Sequence, residues 1–247
     1  MLEPEKVVEK EQLRKDRGKV PLLRGKINIV FFLVFPLVSY LFVKYDIVLD
    51  KLSFIIFLTC AAFNYLSSII LHCKIWDQEL YSILRKIDYA GIFLMIGGCG
   101  LPAYTVLMSD NSVIICAVFH YIVLFIGVFS SLIYNFCYTS KPTRSIVYVL
   151  SSLPYFFVSY QILFKLKSTQ VFLILLLGGT FYLMGAIVYG SKFPNLVPGV
   201  FEYHELFHVF CILGFTTVSI SHFLLFKSGG PNLFNQFLQA KVQHIQA

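Results

Sequence analysis

"YHELFHVFCILGFTTVSISHFLLF", residues 203–226, contains no Lys, Arg or Asp. Its single Glu and its first two His crowd the N-terminal end. About 20 predominantly apolar residues suffice for a helix to cross a bilayer, so this stretch reads as a membrane span with a polar first turn. Six further apolar runs precede it, at 27–43, 52–72, 83–108, 112–134, 145–164 and 171–189. Of the 247 residues, 57% are hydrophobic and only 13% charged, whereas a soluble domain carries about 25% charged residues. The mean hydropathy is +0.76. The expected fold is therefore an all-α, multi-pass integral membrane protein, a seven-transmembrane helix bundle.

The connections are short and polar, at 74–79, 109–111, 139–144 and 191–198, and none is long enough for a separate soluble domain. The organisation is a charged N-terminal segment (1–26), the bundle (27–226) and a short tail (227–247) that follows a Gly-Gly-Pro break. The segment 1–26 sets five acids against eight Lys and Arg and reads as a solvated or interfacial helix. It lacks a small-residue cleavage site, which makes the first span a retained helix rather than a signal peptide. With the N-terminus in the cytoplasm, fourteen Lys and Arg fall inside and six outside. This bias places the N-terminus in the cytoplasm and the C-terminus on the opposite side. The N-terminal segment alone decides it, because the loops beyond divide evenly. The formal charge of +7 belongs to helix ends and the membrane surface, and no basic patch interleaved with aromatics suggests nucleic acid. The six cysteines are scattered without CxxC spacing and read as free thiols in packing roles.

Ionisable side chains inside membrane spans are costly and mark functional sites by default. Here they are Asp88, with Glu202 and Glu205 flanking the seventh span, and His72, His120, His204, His208 and His222. Residues four apart share a helical face, which pairs Ser68 with His72 and His204 with His208. Alternating span direction then puts Ser68, His72, Asp88, His204 and His208 at one membrane depth, contributed by three helices. Taken singly, a histidine at a span end is an interfacial residue, and a serine on a membrane helix bonds its own i−4 carbonyl. Taken together, three imidazoles with room for a water describe a catalytic zinc site, and zinc lowers the pKa of bound water to about 7. Ser68 and Asp88 then serve to orient that water or to move its proton. His120 is expected to pack or to hydrogen-bond a neighbouring helix. His222 lies too far along its helix to share the metal, about 21 Å beyond His208. Glu205 points about 100° away from its neighbour and is expected to cap rather than to ligate. Gly97, Gly98, Gly100 and Pro102 should loosen the third span, Pro36 and Pro154 can kink the first and fifth, and Gly178, Gly179 and Gly185 should permit close packing of the sixth.

Four segments carry a family likeness: "SIILHC" (68–73), "LRKIDYAGIFLMIGGCGLP" (84–102), "GAIVYGSKFP" (185–194) and "YHELFHVFCILG" (203–214). They resemble the hemolysin III branch of the progestin and adiponectin receptor (PAQR) superfamily, with its S-x-x-x-H, D and H-x-x-x-H elements in family order. The resemblance implies a zinc ion near the cytoplasmic face, with His72, His204 and His208 as ligands and Ser68 and Asp88 associated with the water. Members are linked to ceramide hydrolysis, receptor signalling and haemolytic activity. "GGCGLP" (97–102) stands where bacterial members tend to carry a Thr-rich segment, and His222 is displaced from a histidine that many members carry.

Three functions follow as alternatives. The first is a zinc-dependent hydrolase of a lipid amide, such as ceramide or another sphingolipid. The second is a receptor or membrane-perturbing protein with a structural zinc, although no intramembrane row of charges or filter-like loop suggests a pore. The third, bis-histidine haem ligation, fits three clustered imidazoles with Ser and Asp less well than zinc does.

Overall fold

The computed structural model describes residues 21–44, 51–108, 110–134 and 136–228. Most of the charged N-terminal segment and nearly all of the C-terminal tail lie outside the described residues. Within them, seven helices are long and apolar enough to cross a membrane. They are α1 (Phe31–Lys44), α2 (Lys51–Cys73), α3 (Gln78–Val106), α4 (Asn111–Leu132), α5 (Lys141–Lys165), α6 (Thr169–Ser191) and α7 (Tyr203–Ser228). A 3-10 turn at Lys26–Val30 runs directly into α1 and lengthens the first span. The only β-bridge among the described residues is an isolated one between Val197 and Phe201 in the α6–α7 connection.

Helix starts follow caps, and two of these shift the boundaries read from hydropathy. The Asp77 carboxylate accepts from Leu80 N at 2.8 Å, so α3 begins at Gln78 rather than at the first apolar residue near 83. Ser140 likewise caps α5, accepting from Thr143 N at 3.2 Å, and Pro142 occupies the first turn, where its missing N–H costs nothing. Lys141 and Arg144, expected in a connecting loop, therefore lie in the first turns of a membrane helix. The polar turn of a capped helix is invisible to hydropathy because the cap satisfies backbone donors without adding apolar surface.

The interior has two apolar clusters. One joins α1, α2, α3 and α7 through an aromatic stack in which Phe31 lies 3.9 Å from Tyr65 and 4.9 Å from Phe215, centroid to centroid. The other gathers Tyr104, Leu107, Val113, Val158, Ile162, Leu175 and Leu225 toward the end of the bundle away from residue 21. Residues such as Leu33, Ile115, Ile122 and Phe125 face outward, the pattern of a bundle whose solvent is lipid. α3 is the most enclosed span and packs extensively on α2, as α6 does on α7. Gly98 and Gly178 make these contacts possible: a Cβ there would lie 2.8 Å from Cys60 Cβ and 2.8 Å from Val218 Cγ2. Gly185 is also closely packed, whereas a Cβ at Gly179 would meet nothing within 4 Å, so the expected packing role fails there. α3 runs as one helix through its glycines and Pro102, and α1 and α5 run on through Pro36 and Pro154.

Candidate functional site

At the end of the bundle that holds residue 21, α2 finishes and α3 and α7 begin. The i, i+4 spacing on α7 puts the His204 and His208 rings on one face, with centroids 4.7 Å apart and Nε2 atoms 3.0 Å apart. His72, in the last turn of α2, lies edge-on to His204 at 5.0 Å. Ser68, one turn earlier, is 4% exposed, and its hydroxyl stands within hydrogen-bonding reach of the Asp88 carboxylate of α3. Arg85 lies one turn before Asp88, within electrostatic range of it. All five candidate residues line a single cavity of about 520 Å³.

As the side chains stand, no group of three or more His, Cys, Asp or Glu among the described residues has metal-holding geometry. The His204 and His208 nitrogens alone stand at a separation comparable to that of two ligands of one ion. Two nitrogens at zinc–nitrogen distances of 2.0–2.1 Å around a tetrahedral ion stand about 3.3 Å apart, and their ring centroids about 5 Å apart. For His204 and His208 the observed 3.0 and 4.7 Å lie within about half an ångström of these values. Without an ion, the His204–His208 approach is an imidazole–imidazole hydrogen bond, one ring donating and the other accepting.

The segment before α1 completes the site, although its residues were counted only as charge or as apolar span. Leu22 N donates to Gly199 O at 2.9 Å and Leu23 N to Val200 O at 3.2 Å, which ties residues 21–25 across the α6–α7 connection. Arg24 Nε donates to Glu205 Oε1, while the other oxygen of Glu205 accepts from Glu202 N at 3.0 Å. Glu205 is fully buried and caps α7, as its angular offset from His204 predicts. Gly25 sits at φ +76°, and a Cβ on it would lie 2.6 Å from His72 Cβ, so only glycine permits this approach. Three residues on, the buried Asn28 donates from Nδ2 to Ser68 Oγ at 3.0 Å. An amide in an apolar span was the available signal for Asn28; a search restricted to ionisable groups passes over it.

On the other side of the cavity, Arg144 donates to Tyr189 Oη at 3.1 Å and to Thr139 O. Tyr189 Oη is in turn 3.1 Å from Tyr89 Oη. Lys141 Nζ donates to Tyr203 Oη. The two remaining histidines among the described residues join helices. His120 Nδ1 pairs with Tyr104 Oη at 2.8 Å, joining α4 to α3, and His222 Nε2 lies 2.9 Å from Cys99 O, joining α7 to α3. Cys60, Cys73, Cys99, Cys116 and Cys211 are free thiols.

The cavity continues past the polar end between apolar walls. It reaches Leu153 and Phe156 on α5 and Leu176 and Leu183 on α6, side chains that are also exposed on the outer face of the bundle. Fold and site together define a seven-helix integral membrane protein with a polar chamber at one end, whose apolar wall includes side chains that also face outward. The family model for "Haemolysin-III related" proteins matches residues 26–219, and the chain belongs to this hemolysin III/PAQR family. It is also 28% identical over 164 residues to the ADIPOR-like receptor IZH1 of Eremothecium gossypii. That alignment covers 58% of this chain and half the length of the relative.

Proposed function

We propose that this protein is a zinc-dependent hydrolase of a lipid amide, with ceramide or a related sphingolipid as the model substrate. The observation that carries the reading is the convergence of three imidazoles, a serine and an aspartate on one cavity whose apolar walls lead to lipid. His72, His204 and His208 would hold the ion. Bound there, zinc would supply Lewis acidity, activating a water at neutral pH and polarising the scissile carbonyl.

The chain's own residues do the rest. Asn28 donates to Ser68 Oγ and so leaves the serine O–H to donate to Asp88. This chain of donors fixes which lone pairs of Asp88 remain for the attacking water, and Asp88 takes its proton. Arg24 and Glu205 hold the first turn of α7, and with it the His204–His208 face, against the segment that covers His72. Acyl chains lie along the apolar wall that Leu153 and Phe156 of α5 and Leu175, Leu176 and Leu183 of α6 give the cavity.

Two measurements on the purified protein test this. Elemental analysis should find about one zinc per chain, lost in the His204→Ala/His208→Ala double variant. Lipid mass spectrometry should find fatty acid released from ceramide by the zinc-loaded protein, with turnover in Asp88→Asn down by about 10²-fold or more. Zinc retained by the double variant would overturn the site. Full zinc occupancy without any fatty acid released would favour the receptor, as would Asp88→Asn turning over at the unmodified rate.

A further inference from the structure

The polar end of the cavity holds more positive charge than amide hydrolysis requires. Arg24, Arg85, Lys141 and Arg144 line it, against one lining carboxylate, Asp88. Glu205 stands behind the wall, on Arg24. Two of the cations come from one face of α5. Lys141 and Arg144 are three residues apart and approach the same ring: Lys141 Nζ is 5.4 Å from the Tyr189 centroid and the Arg144 guanidinium carbon 6.0 Å from it. Like charges at i, i+3 destabilise a helix, and a guanidinium only 2% exposed in a membrane span is expensive to keep. Both costs fall when an anion lies between the two cations.

We infer that this end of the cavity binds the phosphate monoester head of a lipid. The groups gathered there are the Arg144 guanidinium, the Lys141 ammonium and the paired hydroxyls of Tyr89 and Tyr189, which between them keep one O–H to donate. They match three terminal oxygens carrying between one and two negative charges better than they match a single carboxylate. The lipid source follows from what adjoins the donors: Phe156, Leu176 and Leu183 line the same cavity and are exposed on the lipid face, giving acyl chains a continuous apolar path. The inference rests on the cavity being a lipid site and is independent of any hydrolysis there.

The test is binding without turnover, by native mass spectrometry of the full chain in detergent. The probes are dioctanoyl phosphatidic acid and dioctanoylglycerol, which differ only in the phosphate. Phosphatidic acid should bind at least tenfold more tightly, and this preference should fall below threefold in Lys141→Gln and in Arg144→Gln. Lys141 is the more exposed of the two, so Lys141→Gln keeps the test decisive if Arg144→Gln does not fold. Equal affinity for the two lipids overturns the proposal, as does a preference that survives loss of Lys141. Inorganic phosphate binding as tightly as phosphatidic acid overturns the lipid source. Because fatty acid release is not the readout, a protein that fails to hydrolyse ceramide can still pass, and an active hydrolase can still fail.

Discussion

Glu205→Ala removes the carboxylate that joins the segment before α1 to the first turn of α7. Glu205 is fully buried and the Arg24 side chain is 17% exposed, so the pair is largely shielded from water. Deleting one partner of a buried pair costs about 3–5 kcal/mol, because the other charge is left without compensation. Access of water to Arg24 points to the lower end of that range. The same substitution also loses the cap on Glu202 N, worth about 1 kcal/mol. At about 2–4 °C per kcal/mol for a chain of this size, the melting temperature should fall by about 8–16 °C. A double-mutant cycle separates the two losses. Arg24→Ala alone strands Glu205, whereas in the double variant neither charge is stranded. The double variant should therefore be less destabilised than the sum of the singles by at least about 1.5 kcal/mol. Glu205→Gln, which keeps an acceptor for the cap, should recover only the cap's share. Thermal unfolding in detergent, followed by a thiol-reactive dye that reports the buried cysteines, measures the four variants against the parent. Effects that add within about 0.5 kcal/mol would show no coupling between Arg24 and Glu205 and refute the reasoning.

Gly25→Ala combines a positive φ with a Cβ 2.6 Å from His72 Cβ. It should cost about 1–3 kcal/mol and lower zinc occupancy, whereas Gly199→Ala, also at positive φ but with nothing within 4 Å, should leave zinc unchanged. Gly178→Ala should destabilise by about 1–3 kcal/mol through overpacking against Val218. Gly179→Ala, one residue on, should stay within about 0.5 kcal/mol of the parent or gain slightly from helix propensity, and equal effects would refute the packing account. Tyr104→Phe strands His120 Nδ1 in the interior and should cost about 1–3 kcal/mol in the same unfolding assay.

The seven spans were legible because each apolar run satisfies the length a bilayer demands, and little else does. Their ends were less so. Lys141 and Arg144 read as loop because a cap at Ser140 starts the helix in polar sequence. The convergence of Ser68, His72, Asp88, His204 and His208 on one cavity follows from i, i+4 faces plus alternating direction, both of which a sequence displays. Which groups stand opposite those faces does not follow from either. Arg24 registered as one of eight charges in a tail, and Asn28 as a weak interruption of an apolar run. Their partners are Glu205 and Ser68, 181 and 40 residues away. Contacts of that kind depend on how the segment before α1 folds back, which no local period encodes.

That fold-back bears on the zinc site we propose at this end. Three histidines on α2 and α7 would by themselves be an opening at the membrane boundary, where water competes for both the metal and the substrate. Residues 21–30 cover it with a glycine pressed on His72 and an amide bonded to Ser68, and an arginine salt-bridged beside His204 locks the cover down. With this end covered, the apolar wall that α5 and α6 give the cavity is the approach that suits a lipid, since its side chains are also exposed on the outer face of the bundle. The cover and the helix faces that carry Ser68, His72, His204 and His208 therefore belong to one unit. Arg24→Ala should raise the rate at which a hydrophilic chelator strips zinc from the protein, even at a temperature where the fold is intact. Metal loss at the parental rate would mean that chelator reaches the histidines by another route and that residues 21–30 do not cover them.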